Sequence, residues 1–189
     1  MQIIKPVRTA YFLLAMAVFL AACASKPESN LGIKGAPDWV NQGTQALKDN
    51  GNRYIYGIGS APAMNDLSLQ TSTADDRARA EVARVLSSFM RVVSQDYGAS
   101  AGMGQNQQNE QSVSRQIESV TSQNVSGAQI AAHWMDPKTG MIWSLVKLDM
   151  KDVKSMIASS AAMNAGFKSY FAGHADNIFD GMTKGGGNE

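Results

Sequence analysis

The sequence predicts an α+β domain: a small, mainly antiparallel three-stranded sheet packed by helices on one face. Three observations lead there. A long interval, residues 63–97, contains neither glycine nor proline and repeats apolar residues at helical spacing. Two β-branched and aromatic runs flank Asp136-Pro137-Lys138-Thr139-Gly140, a hairpin turn pattern. A third such run, Arg53 to Ser60, lies upstream of the long interval. The predicted order is strand, long helix, short helix, hairpin, helix, which favours helices gathered on one side of the sheet.

Each element has its own warrant. Tyr54-Ile55-Tyr56-Gly57-Ile58-Gly59-Ser60 follows the turn signal Asn50-Gly51 and ends at Pro62, so it reads as a strand. In the long helix, Ala78, Val82, Val85, Leu86, Phe89, Val92 and Val93 form one apolar stripe. Thr73 is the expected N-cap, with Asp75 and Asp76 as first-turn charges. Residues 98–111, rich in Gly, Gln and Asn, are expected to form a mobile loop. Val113, Ile117 and Val120 mark a shorter helix ending near Gly127. Residues 128–135 and 141–148 are the hairpin strands, and a positive-φ glycine is expected at Gly140. Asp149 is placed to cap the last helix, with Val153, Met156, Ile157, Ala161 and Phe167 inward. Ile178, Phe179 and Met182 continue that helix after Gly173 or dock as a separate segment.

The first 23 residues carry an address. Lys5 and Arg8 precede the apolar run from Thr9 to Leu20, which is shorter than the ~20 residues a spanning helix needs. A basic start, a short apolar middle and small residues at the end form a secretory signal. The chain's single cysteine closes it in Leu20-Ala21-Ala22-Cys23, which resembles the bacterial lipoprotein box. A thiolate is the nucleophile that forms a thioether with diacylglycerol. Cleavage before Cys23 then frees an amine for a further acyl chain, and two or more chains hold a protein stably at a membrane. The expected division is residues 1–22 as signal, 23–36 as a lipidated tether, 37–183 as one domain and 184–189 as a disordered tail. Ala24, not aspartate, follows the cysteine, which by resemblance to sorted Gram-negative lipoproteins directs the chain to the outer membrane, facing the periplasm.

Charge excludes one class of partner. The full chain has 17 Lys and Arg against 16 Asp and Glu. Losing Lys5 and Arg8 with the signal leaves 15 against 16, a net of −1. That near-neutral balance argues against binding a nucleic acid, whose phosphates call for a strongly basic surface.

The pieces Pro37-Asp38-Trp39-Val40, Tyr54 to Ala61, Ala74 to Ala83 and Trp143 to Leu148 together resemble the bacterial 20-kilodalton lipoproteins of the "Lpp-twenty" type. The resemblance covers roughly residues 37–155. FlgP-like flagellar lipoproteins are relatives of that group. The resemblance implies a non-enzymatic envelope protein assembling with itself or with envelope structures, such as the flagellar base. It brings no catalytic residues, and the glutamine-rich stretch at 104–111 and the long segment after 155 depart from the flagellar members.

Candidate chemistry is sparse. Gly57-Ile58-Gly59 opens like a dinucleotide fingerprint, but Pro62 replaces the third glycine and no P-loop Lys-Ser/Thr follows. Strand geometry and close helix packing are the expected roles of these glycines. His133 and His174 are the only histidines; His133 is expected on the solvent side of its strand, opposite Ile130, Ala132 and Trp134, and His174 at a helix end. Neither is expected to bind metal or serve as a base for a serine. Asp75 and Asp76 point about 100° apart and do not converge on one substrate atom. Arg77, Arg84 and Arg91 recur every seven residues as a solvated basic row. No catalytic group, cofactor or metal is therefore expected. Tyr54, Tyr56, Trp134 and Trp143 exceed what one small core absorbs, and are the expected interaction surface. The second reading is a periplasmic lipoprotein that binds peptidoglycan or another glycan through Trp39, Trp134 and Trp143.

Overall fold

The computed structural model describes residues 30–48, 51, 53–100, 127–161 and 163–185. The signal, Cys23, the 104–111 stretch and the short helix expected over 113–127 lie outside them, save Gly127. So does the end of the tail.

A single turn of helix, α1 (Asp38–Asn41), and a 3-10 turn (Gly43–Ala46) precede β1 (Tyr54–Ala61). Then come α2 (Leu67–Ser100), β2 (Gln129–Met135), β3 (Ile142–Asp149), α3 (Met150–Ser159) and α4 (Ala165–Gly185). The sheet is antiparallel with order β1-β3-β2. The α+β class expected from the pattern is the class observed.

The sheet's two faces differ sharply. Along β1, burial alternates without a fault: Ile55, Gly57, Gly59 and Ala61 are buried, and Tyr54, Tyr56, Ile58 and Ser60 are half-buried. The pairing register places Leu148, Val146, Ser144 and Ile142 of β3 on the same side as the buried set. Helix α2 lies on that side. A Cβ on Gly57 would overlap the Ala78 carbonyl oxygen, and one on Gly59 would overlap the Ala74 carbonyl and the Ala78 amide. The Gly-Ile-Gly pattern therefore serves close packing of helix backbone on strand backbone.

Helix α2 starts six residues before Thr73. The Thr73 hydroxyl donates to the Leu69 carbonyl within the helix, so it caps nothing. Asp66 does the capping work, its carboxylate accepting from the Leu69 amide at 3.0 Å. Asp75 and Asp76 consequently sit in the third turn. The helix also continues through Gly98, which was expected to open a loop. One glycine costs a helix only about 1 kcal/mol, less than the neighbouring turns gain by packing.

Of the expected stripe, Ala78, Val82, Leu86, Phe89 and Val93 form the core with Met90, Ile55, Val146 and Leu148, while Val85 packs against it half-buried and Val92 is exposed. Val153 and Ile157 of α3 join it, as do Phe167, Phe171, Ala175 and Phe179 of α4. Phe89 meets Phe171 and Phe179 edge to face, at 6.0 and 5.8 Å between ring centroids. Asp149 caps α3 as expected, accepting from the Lys151 amide at 2.9 Å. Helix α4 runs unbroken through Gly173, so Ile178, Phe179 and Met182 belong to one docked helix. Arg53, just before β1, clamps α4 through a two-bond contact with Asp180 at 2.7 and 2.8 Å. Asp176 on α4 bonds Lys154 of α3 at 2.9 Å.

Backbone pairing starts before Pro37. The Leu31 amide donates to the Asn41 carbonyl, and the Asn41 side chain bonds both the amide and the carbonyl of Ile33.

Candidate functional site

Two features bear on function: a polar cluster under the helices and the aromatic face opposite them.

The cluster was not foreseen. Asp75 Oδ1 accepts from the Ser144 hydroxyl at 2.6 Å and stands 2.6 Å from His133 Nε2. It joins α2 to β3 and β2. His133 reaches it because β2 carries an irregularity between Ile130 and Ala132. The extra residue shifts the strand's alternation, so Ile130 and His133 face the helix while Ala132 and Trp134 face away. His133 is exposed and lies opposite Ala132 and Trp134 as expected, its side chain at 40%, but it shares the helix side of the sheet with Ile130, which corrects the expected grouping of Ile130 with Ala132 and Trp134. Asp75 is correspondingly a tertiary contact and not a helix-start charge.

These three residue types are those of a hydrolytic triad, but the arrangement differs. Ser144 and His133 both bond the same carboxylate oxygen, whereas a triad chains serine to histidine to aspartate. Ser144 is also fully buried, beyond reach of a substrate. The cluster satisfies buried polar groups. A signal for it existed in the sequence: Asp75 falls three residues before Ala78 and seven before Val82, on the apolar stripe itself.

The other face carries Tyr54, Tyr56, Ile58 and Ser60 from β1, Trp143, Leu145, Lys147 and Asp149 from β3, and Gln129, Ala132 and Trp134 from β2. All four aromatics singled out from the sequence fall on it, and all four are half-buried. Tyr54 and Tyr56 lie 5.8 Å apart between centroids. The Lys147 ammonium sits 5.3 Å from the Tyr54 ring centroid. Trp143 Nε1 is buried with no acceptor among the described residues. At the Lys147 end lies a polar cavity of about 120 Å3, lined by Tyr54, Gly127, Gln129, Lys147, Asp149 and Asp152. Trp39 belongs to α1 and not to a strand, and is half-buried beside the buried Val40.

The remaining candidates are occupied locally. Arg77 donates to the Ser60 carbonyl at 2.6 Å and Arg84 pairs with Glu81, which holds the Glu81 carboxyl below its ordinary range. His174 lies within α4, not at a helix end, and stacks on Tyr170 at 4.2 Å. Among the described residues no three His, Cys, Asp or Glu converge to hold a metal ion, and no helix is long and apolar enough to cross a membrane. No protein-family model matches the chain, and no curated protein matches it.

Proposed function

We propose that the chain is a non-enzymatic lipoprotein, anchored in the outer membrane through acylated Cys23, whose domain assembles with copies of itself or with other envelope structures. The observation that carries this reading is Leu20-Ala21-Ala22-Cys23: the only cysteine stands where the lipid-accepting thiol must be, behind a basic and then apolar leader. The resemblance to Lpp-twenty lipoproteins and their FlgP-like flagellar relatives supports an envelope role. The aromatic face supports assembly, because large half-buried rings gathered on one surface are the material of interfaces. A lipid anchor would confine all copies to one plane, so weak lateral contacts gain from high effective concentration.

The test is metabolic labelling with a fatty-acid analogue, followed by membrane fractionation. Wild type takes up label and fractionates with the outer membrane, while Cys23→Ser loses both. Normal labelling of Cys23→Ser overturns the reading. Cross-linking in intact cells tests assembly, and a chain that never cross-links to itself or to a neighbour removes that part.

A further inference from the structure

We propose that the end of the domain formed by the start of α2 and the far end of the hairpin rests on the lipid surface to which the chain is tethered. This rests on the lipoprotein reading. Six large apolar side chains stand well out of the described surface, and four of them lie at this end: Met64 (36% exposed), Leu67 (57%), Leu69 (57%) and Met135 (46%). Gln70 holds the end together. Its side-chain amide donates to the Ala61 and Gly140 carbonyls and accepts from the Met64 amide, joining β1, the hairpin turn and α2. Leu67 and Leu69 point to opposite sides of the helix, so the apolar groups ring the tip and do not form one groove. A ring of this kind suits shallow insertion at a headgroup boundary more than it suits a protein pocket. Asp66 and Lys138 are the exposed charges at this end, and the Asp136 carboxylate is buried in the hairpin turn beside them.

Reach permits the contact. Backbone pairing begins at Leu31, and the eight residues from Cys23 span at most about 28 Å. Helix α2 is about 51 Å long by its 34 residues. A tether shorter than the domain leaves the domain free to tilt but keeps its surface within reach of the bilayer, so weak insertion is populated without high intrinsic affinity.

The test is methionine oxidation of the purified full lipoprotein on phosphatidylethanolamine–phosphatidylglycerol vesicles, read by mass spectrometry. Met64 and Met135 should oxidise several times more slowly in wild type than in a Leu67→Asp/Leu69→Asp variant. That protection should hold at low surface density. Equal rates in the two proteins, both floating with the vesicles, overturn the tip contact and leave the anchor standing. Protection that appears only at high density assigns the tip to a second copy and also overturns it. A chain that carries no lipid and stays off the vesicles overturns both readings.

Discussion

Ser144 donates its hydroxyl proton to Asp75 Oδ1 at 2.6 Å, across the interface between β3 and α2. The carboxylate is 15% exposed and also bonds His133, its second side-chain partner among the described residues. Ser144→Ala removes a buried donor to a charge, and should cost about 1–3 kcal/mol. His133→Gln, at a ring 40% exposed, should cost under about 1 kcal/mol. Urea denaturation of both variants checks the order, and a His133 effect larger than that of Ser144 contradicts the account.

The glycines of β1 and two helical glycines, Gly98 and Gly173, should respond in opposite ways. Gly57→Ala and Gly59→Ala drive a methyl into the α2 backbone, which cannot yield as a side chain can, and should cost ~3 kcal/mol or prevent folding. Gly98 and Gly173 are helical and have open space where a Cβ would stand. Alanine there should stabilise by about 0.5–1 kcal/mol. Melting temperatures of the four single variants decide it.

Phe89 anchors the contact of α2 with α4. Phe89→Ala should cost about 3–5 kcal/mol, since Phe171 and Phe179 lose their shared partner. Arg84 is exposed on the opposite side, its side chain at 69%, and Arg84→Ala should leave the melting temperature nearly unchanged despite its pair with Glu81. Thermal unfolding of the two distinguishes core from surface on this helix.

The hairpin turn should confer acid sensitivity. The Thr139 hydroxyl and the Lys138 amide both donate to Asp136 and hold its carboxyl below the usual range. A lowered folded-state pKa contributes stability above the unfolded value of about 4, and that contribution is lost as pH falls through the folded value. Asp136→Asn should therefore be less stable than wild type near pH 7, with the gap closing below about pH 4. A gap that is constant from pH 7 to 3 contradicts the turn's role.

Local signals in the chain suffice for much of this protein. Turn chemistry places the hairpin: Gly140 has φ of 67°, and its amide donates to the Asp136 carbonyl at 2.8 Å. The period of apolar residues gives the helix face, because burial of one stripe is what stabilises an amphipathic helix. Asp149 as a cap is legible because it stands immediately before a new apolar period. The lipidation proposal at Cys23 also comes from sequence alone, since it depends on chemistry and order along the chain and on no fold.

Three features depended on tertiary contacts. The start of α2 escaped prediction because Leu67 and Leu69 are exposed, so no apolar period announces the first turns. The orientation of His133 depended on an irregularity in β2, which a two-residue alternation cannot reveal. The partnership of Asp75 with Ser144 joins residues 69 apart in sequence, and only the packing of helix on sheet brings their polar atoms together. The chain's local chemistry determined the three strands, the hairpin and the long helix, but not the division of the expected last helix into α3 and α4, which leaves Ala161 exposed between them. Long-range packing decided where α2 begins, which way β2 faces, and which polar groups must satisfy one another, because each of these depends on atoms distant along the chain.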